Sequence, residues 1–262
     1  MSRSSPFVKK TLWLRWYNRL AKRIDSTRWT FMNYGLAWPQ EPGAPTLQPD
    51  DEPDRSCAQL YHRVTSTVSL ANKDVLEVGS GRGGGAAFLA RYHNPARLVG
   101  VDFSRRSVAF CKTRHVLPNL SFQKADAESL PFKDSTFDVV VNVESSHCYG
   151  SVERFFSEAV RVLRPGGHFL FADLREAAEM PQLEAWVTGQ PGWKVTERED
   201  ITASVAAALL ADDARKRALI DELVPAEQRA GFGEFAGLAG SRIQLGLSNR
   251  SIQYVRFVAQ KT

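Results

Sequence analysis

One stretch of the sequence, residues 74–102, constrains the fold more than any other. It opens with a short apolar run (75–78) that is followed at once by three alternating glycines. Such a run is typical of a strand buried on both faces of a sheet. Apolar residues over 86–92 predict a helix, and a second apolar run, 98–101, ends at Asp102. The stretch therefore predicts a strand, a glycine turn, a helix and a second strand that ends in an acid.

The glycine turn and Asp102 together indicate a site for a nucleotide-type cofactor. Glycines have no Cβ and permit positive φ, so a ligand can approach the turn closely. The unpaired N–H groups at the start of the next helix favour an electron-rich partner. At the carboxyl end of its strand, the Asp102 carboxylate can accept hydrogen bonds from both hydroxyls of a ribose.

Two cofactor classes share this arrangement. Gly79, Gly81 and Gly84 satisfy the G-x-G-x-x-G pattern of dinucleotide-binding folds, and Asp102 stands near the position of their ribose acid. That pattern alone is a weak signal. A nicotinamide enzyme is therefore one alternative.

The residues around the turn favour a different class. Glu77 precedes the turn in the pattern Glu-x-Gly-x-Gly-x-Gly, which resembles motif I of class I S-adenosylmethionine (SAM) methyltransferases. Three later stretches resemble that family's adenine loop (126–132), its fourth strand (137–140) and the turn before its fifth strand (161–167). Four motifs in the family's order and spacing favour SAM over a nicotinamide cofactor.

The resemblance implies a fold, a cofactor and a set of binding residues. The fold would be a Rossmann-like α/β sheet of seven strands, the last antiparallel, with helical lids from both ends of the chain. The cofactor would be SAM and its product S-adenosylhomocysteine, without a metal ion. The implied cofactor-binding residues are Glu77, Gly79, Gly81, Gly83, Asp102, Phe103, Asp126, Ala127 and Asn142.

Candidate catalytic residues follow the fourth strand and the next one. The run 139–143 leads to Glu144 and His147, at a position that faces the methyl group in methyltransferases. An unperturbed imidazole titrates near pH 6.5 and is largely neutral at cytosolic pH, so His147 could take a proton from a hydroxyl. Asp173, after the fifth strand, would orient it, and Glu144 is a third candidate. The alternative is that His147 only packs at the strand end or caps the following helix.

The same segment argues against nucleic-acid substrates. Enzymes that methylate exocyclic amines of bases usually carry Asp/Asn-Pro-Pro-Tyr after the fourth strand, whereas this chain has Glu-Ser-Ser-His at 144–147. No aromatic RNA-binding module accompanies the net charge of +5. The basic charge therefore does not predict a nucleic-acid partner.

A narrower resemblance suggests a substrate class. The segments 142–149, 83–85 and 172–175 resemble bacterial methyltransferases of the phthiotriolone/phenolphthiodiolone dimycocerosates type, which methylate a hydroxyl on a polyketide-derived lipid. We therefore predict an O-methyltransferase that acts on an apolar molecule derived from a polyketide, peptide or lipid. The same scaffold also hosts carbon methyltransferases and SAM-binding cyclases, and a third alternative is a SAM-binding partner protein without activity.

Length and composition predict one main domain. With 262 residues, of which 43% are hydrophobic, the chain can bury one full core. We expect a lid and connection over 1–55 and a methyltransferase domain over 56–262, with a substrate-lid insertion at about 176–250. Three scattered cysteines and the lack of a membrane-length apolar run suggest a cytoplasmic protein. Oligomeric state stays open.

The N-terminus is basic and aromatic. Residues 1–24 carry seven Lys or Arg and no acid, interleaved with aromatic residues, and predict an amphipathic helix. Its role as a lid, a membrane-surface helix or a transit peptide stays open. The aromatic segment 29–38 is predicted to form an ordered apolar cap. Toward the C-terminus we expect helices over 203–223 and 226–239 and a final strand at 251–258.

Overall fold

The computed structural model describes residues 28–38 and 44–262, so the amphipathic helix predicted for 1–24 lies outside the described residues. The strands are β1 (Asp74–Val78), β2 (Arg97–Asp102), β3 (Leu120–Lys124), β4 (Phe137–Val143), β5 (Leu163–Glu176), β6 (Trp193–Asp200) and β7 (Ile252–Lys261). The helices are α1 (Arg55–Thr65), α2 (Gly84–Tyr92), α3 (Arg105–Arg114), α4 (Val152–Val162), α5 (Met180–Gly189), α6 (Thr202–Ala211), α7 (Asp213–Leu223), α8 (Arg229–Ala236) and α9 (Arg242–Ser248). Short 3₁₀ turns lie at Pro49–Asp54, Ser146–Cys148 and Ala226–Gln228.

All seven strands form one sheet, in the order β3-β2-β1-β4-β5-β7-β6. The first five strands pair in parallel, and β7 runs antiparallel between β5 and β6. This topology confirms the predicted α/β class. The strand order reverses between β1 and β4, which is where open α/β sheets bind ligands at the carboxyl ends of their strands.

The sheet is buried on both faces, as its apolar strands predict. Along β4, Val139 and Val141 face one hydrophobic cluster with α1, α2 and α6, whereas Val140 faces a second cluster with α4 and α5. Both faces therefore need apolar residues, which explains the nearly continuous apolar runs of β1, β2 and β4.

Aromatic rings fill the layer between the sheet and α4. Phe155 and Phe156 on α4 pack edge-on against Phe169 of β5. The ring of Trp193 stacks on that of Phe169 with centroids 4.7 Å apart, and its indole N–H donates to the Val187 carbonyl. Trp193 thereby fixes the start of β6 to the core.

Part of the predicted insertion at 176–250 belongs to the sheet instead. Strand β6 and helix α5 lie within that range, and the role of the range as a substrate lid stays a prediction. Strand β6 is hard to recognise in the sequence. It is an edge strand whose residues alternate between partly buried and exposed positions. Glu197 pairs with the buried Arg256 of β7, and Glu199 pairs with Arg63 of α1.

Helices α6 to α9 pack against one another, and α6 and α9 contact β7. The stretch predicted as one helix over 203–223 is two helices, α6 and α7, which are separated at Asp212. We call residues 28–38 the strap. Trp29 of the strap packs edge-on against Phe232 of α8 with centroids 4.9 Å apart, and Ala37 N donates to the Ser204 carbonyl of α6. No helix within the described residues is both long and apolar enough to cross a membrane.

One glycine of α2 is required by close packing. A Cβ added at Gly85 would lie 1.9 Å from Cζ of Tyr61, a buried ring on α1. Gly231 offers a matched control, because it also lies in a helix and a Cβ there would meet nothing within 4 Å.

We expect Gly85→Ala to lower the free energy of unfolding by about 1–3 kcal/mol, because an overpacked core must move a ring that has no space. Gly231→Ala should instead raise it by up to about 1 kcal/mol, since alanine costs less backbone entropy in a helix. Urea denaturation of both variants would measure the two changes. Equal effects would contradict the packing explanation.

Candidate active site

The glycine turn after β1 has the backbone geometry that the sequence predicts. Gly79 has φ +81°, and a Cβ there would lie 2.3 Å from the Ser145 hydroxyl oxygen. The N–H groups of Gly79 and Ser80 both donate to the Val101 carbonyl, at 2.8 and 2.9 Å. The turn is thereby fixed to the end of β2, and only glycine fits at its first position.

Asp102 lies at the carboxyl end of β2, beside this turn. Its Oδ2 accepts a hydrogen bond from Gly81 N at 3.0 Å, and its Oδ1 accepts one from Ser104 N at 2.8 Å. Burial raises the pKa of Asp102 to about 6, although both hydrogen bonds act in the opposite direction. Each oxygen keeps a lone pair for a further donor, so the carboxylate can still hold a pair of hydroxyls.

A cleft with about 1210 Å³ of open space, including its mouth, runs along this edge of the sheet. Seven of the predicted site residues line it: Gly79, Gly81, Asp102, Phe103, Asp126, Ala127 and Glu144. The structure therefore brings together residues from the ends of β1, β2, β3 and β4. Glu77, Gly83, Asn142, His147 and Asp173 do not line the cleft.

Glu77 lies behind the cleft, so the expected direct cofactor contact is not where the sequence suggested. The residue is inside β1 and its side chain is directed toward α1, where Tyr61 lines the cleft and donates to Glu77 Oε1 at 2.6 Å. Burial raises the pKa of Glu77 to about 7. Its Oε2 has no hydrogen-bond partner among the described residues, which makes it a costly buried acceptor.

Asn142 also lies behind the cleft and joins two of its walls. Its amide nitrogen donates to the Val78 carbonyl at 2.8 Å and contacts the hydroxyls of Ser145 and Tyr149 at 2.7 and 3.0 Å. The side chain therefore connects the end of β1 to the segment after β4. It positions Ser145 and Tyr149, which line the cleft.

The loop that carries Asp126 is held by two residues that sequence reasoning missed. Arg161 of α4 donates to the carbonyls of Leu130 and Phe132 at 2.9 and 2.7 Å. Glu158 of the same helix accepts from Leu130 N at 2.6 Å and pairs with Arg161. Arg161 stands in the motif at 161–167, which was the available signal, but the contact joins residues about thirty positions apart.

His147, which is partly exposed, and the fully buried Asp173 form a pair beside the cleft. His147 Nδ1 lies 2.8 Å from Asp173 Oδ1, and His147 N donates to Oδ2 at 3.0 Å. The Ser146 hydroxyl also donates to Oδ2, and Arg175 forms an ion pair with it at 3.2 Å. These partners satisfy a carboxylate that has no exposed surface and hold its pKa below the usual range despite burial.

The protonation state of His147 differs from the expectation of a neutral imidazole. Burial alone lowers the pKa of His147, but the neighbouring Cys148 and Asp173 outweigh burial and raise it to about 10. The imidazole is therefore protonated at neutral pH in this structure. The neutral imidazole was expected because the sequence does not reveal that Asp173 is buried against the ring.

The strap covers the cleft and is attached on both sides of it. Thr30 O accepts from Gly84 N at 3.1 Å, and Trp29 O accepts from Arg82 Nε at 2.5 Å. On the other side, Tyr34 N donates to Glu144 Oε1 at 2.9 Å. The strap is thus an ordered wall of the cleft, and its motion as a lid stays a prediction.

Comparisons with known proteins decide the family. A family model described as "Methyltransferase domain" matches residues 76–171. The chain is 39% identical over 246 residues to a phthiotriol/phenolphthiotriol dimycocerosates methyltransferase of Mycobacterium tuberculosis, covering 94% of this chain and 90% of that protein. The chain belongs to the class I SAM-dependent methyltransferases.

Two further comparisons place this methyltransferase among proteins with different acceptors. A fatty-acid O-methyltransferase of Mycolicibacterium smegmatis is 40% identical over 182 residues, covering 70% of this chain and 66% of that protein. The solved structure of geranyl diphosphate C-methyltransferase from Streptomyces coelicolor, with S-adenosylhomocysteine bound, matches over all of both chains with a TM-score of 0.65 at 15% identity. At that identity the second likeness concerns the fold alone.

The charged side chains that line the methyltransferase cleft suit SAM. Three acids, Asp102, Asp126 and Glu144, and one cation, Arg82, are the charged side chains among the described residues that line it. An acidic cleft suits a cofactor that carries a sulfonium and an ammonium group. Within residues 28–38 and 44–262, no group of three metal-ligating side chains could hold a metal ion.

Loss of the Asp102 carboxylate should weaken binding of S-adenosylhomocysteine by about 30- to 1,000-fold, because two charge-assisted hydrogen bonds would be removed. Calorimetry of Asp102→Ala would measure this. Asp221→Ala, at an exposed carboxylate of α7, is the control and should bind normally. Equal affinity in the wild type and Asp102→Ala would refute the ribose assignment.

The buried acid Glu77 should make stability depend on pH. Its folded pKa of about 7 exceeds the ordinary glutamate pKa of 4.5, so the unfolded chain releases the proton first as pH rises. The free energy of unfolding should therefore fall between about pH 4.5 and 7, by up to about 3 kcal/mol from this group. Glu77→Gln should flatten that slope in urea denaturation at pH 5 and 8. An unchanged slope would show that Glu77 is not the cause.

Proposed function

We propose that this methyltransferase transfers the methyl group of SAM to a hydroxyl of an apolar molecule derived from a lipid or polyketide. The observation that carries the proposal is the pair formed by His147 and Asp173 beside the cleft, close to Glu144, which lines it. A histidine held by a buried carboxylate suits proton removal from a hydroxyl. The names of the mycobacterial relatives support a lipid acceptor.

The acceptor side follows from the order of the strands. The acids that suit a cofactor lie at the ends of β2 and β3, on one side of β1. Glu144 and His147 follow β4, and Asp173 lies within β5, on the other side of β1. An acceptor that approaches from β4 and β5 would meet the cofactor above the glycine turn.

Much of the catalysis would be alignment. Bound SAM supplies a methyl group activated by its sulfonium. Asp102, Asp126 and the glycine turn would hold the cofactor, and the strap would exclude water from the cleft. Holding the reacting atoms in line can supply several kcal/mol of the barrier reduction.

His147 would take the proton of the acceptor hydroxyl at Nε2, the ring nitrogen that does not contact Asp173. The Asp173 carboxylate fixes the ring orientation through Nδ1 and stabilises the imidazolium that forms. Because the raised pKa keeps His147 protonated at neutral pH, the neutral base is the minority form there. The activity of the enzyme should accordingly increase into the alkaline range.

The strap and the C-terminal helices would hold the apolar part of the acceptor. Tyr34 of the strap lies next to Leu209 of α6 at Gly237, where a Cβ would touch both side chains. Helix α6 contains no charged residue, and its inner side joins the main hydrophobic cluster. A lid of this composition supports an apolar acceptor. A cytoplasmic location stays a prediction.

His147→Ala should lower kcat by about 10²- to 10⁴-fold, the usual contribution of a general base, without changing the affinity for S-adenosylhomocysteine. The wild-type kcat should rise as the pH approaches about 10, the pKa of His147, and the variant should lose this rise. His168→Ala, in the first half of β5, is the control and should keep both the rate and its rise with pH.

The assay would follow transfer of labelled methyl from SAM into extracts that contain candidate acceptors, and mass spectrometry with NMR would locate the new methyl group. A methyl on carbon would contradict the proposed O-methylation. A His147→Ala variant with more than about a third of the wild-type turnover would contradict the role of the base.

A further inference from the structure

Glu144 has an unusual backbone and an unusual set of hydrogen bonds. Its φ is +46°, in the left-handed region that residues other than glycine seldom adopt. Its Oε1 accepts from Tyr34 N of the strap and from the Tyr254 hydroxyl of β7, both at 2.9 Å. No hydrogen bond from the described residues engages Oε2.

This arrangement leaves one carboxylate oxygen for a ligand. Glu144 is only partly buried and lines the cleft, so Oε2 is available there. The contacts to Tyr34 and Tyr254 come from two different elements, the strap and β7, and hold the carboxylate in place. Strained backbone that is held in this way is common at functional sites.

We propose that Glu144 selects the acceptor by charge, accepting a hydrogen bond from a neutral hydroxyl and excluding a carboxylate. The inference rests on the proposed function and names the acceptor class more narrowly. An ionised carboxylate can only accept hydrogen bonds, so it pairs with a hydroxyl donor but not with another carboxylate. At about 6 Å near a protein surface, like charges reduce affinity by roughly 10- to 100-fold.

The other charges at this end leave one positive charge at neutral pH, because protonated His147 and Arg175 share the single carboxylate of Asp173, and ionised Glu144 offsets it. Asp173 is paired with His147 and with Arg175, which forms a second ion pair on the same carboxylate. Arg242 of α9 is paired with Glu176. Glu144 is the remaining carboxylate near the acceptor, and among the described residues its only hydrogen-bond donors are a backbone N–H and a tyrosine hydroxyl.

The comparison proteins are named for different kinds of acceptor. One relative is named for fatty acids and another for phthiotriol, so related chains are associated with both carboxyl and hydroxyl acceptors. A carboxylate acceptor is already ionised and needs no base. As a base, the pair of His147 and Asp173 is needed only for a hydroxyl, which agrees with the selection by Glu144.

The experiment compares two probes of equal chain length, decan-1-ol and decanoate, on protein saturated with S-adenosylhomocysteine. At pH 8, calorimetry should show that decanoate binds Glu144→Gln at least about tenfold more tightly than it binds the wild type. Decan-1-ol should bind the variant no more tightly than the wild type. Glu144→Asp keeps the charge and is the matched control, which should still exclude decanoate.

A pH series separates Glu144 from its neighbours. Burial raises the pKa of Glu144 to about 7, so decanoate should bind the wild type more tightly at pH 6 than at pH 8.5. Glu144→Gln should lose this dependence. The titratable and charged groups that face Glu144 are Tyr34 on the strap, Tyr61 on α1, His147 and Cys148 after β4, Asp173 on β5, Arg242 on α9 and Tyr254 on β7.

Most of these neighbours do not titrate between pH 6 and pH 8.5, because their pKa values are shifted out of that range. The pKa of His147 is raised to about 10, that of Asp173 is lowered, and those of the three tyrosines are raised. A pH dependence that persists in Glu144→Gln would therefore implicate another group and overturn the assignment.

Equal decanoate affinity in the wild type and Glu144→Gln at pH 8, including no measurable binding to either, would also overturn the inference. Failure of the proposed function looks different, because the protein would then transfer no methyl group from SAM to any hydroxyl acceptor. Normal binding of S-adenosylhomocysteine by Glu144→Gln shows that the variant is folded.

Discussion

The structure depends on one constraint, namely that parallel strands place all their carboxyl ends at one edge of the sheet. The backbone hydrogen bonds of β1, β2, β3 and β4 fix that edge, and the glycine turn is joined to β2 through the Val101 carbonyl. Each strand therefore brings its next residues to one cleft. The acids after β2, β3 and β4 share a site because the strands share a direction.

Local patterns made that part of the structure predictable. The sequence alone located β1, the glycine turn, α2, β2 and Asp102, since each depends on apolar spacing or on residues close in the chain. The seven-stranded sheet followed from the family resemblance. The short range of these signals explains why they could be read from one sequence.

The contacts that were missed join distant residues. Glu144 is 110 positions from both Tyr34 and Tyr254. Asp173 was expected to orient His147, but its complete burial against the ring was not expected. Nothing in the local sequence reports such a contact or the burial that goes with it. The predicted protonation state of His147 was wrong for this reason. Strand β6 was missed for another, because a polar edge strand lacks the apolar run by which strands are recognised.

The contact between Gly85 and Tyr61 limits how this chain can change. The Tyr61 ring occupies the space where a side chain at position 85 would lie, and its hydroxyl is the donor to the buried Glu77. A larger residue at 85 would require a smaller one at 61, and the carboxylate at 77 would then lose its donor. These positions should covary among homologues. A glycine motif moved alone into another scaffold would need the helix that carries the tyrosine.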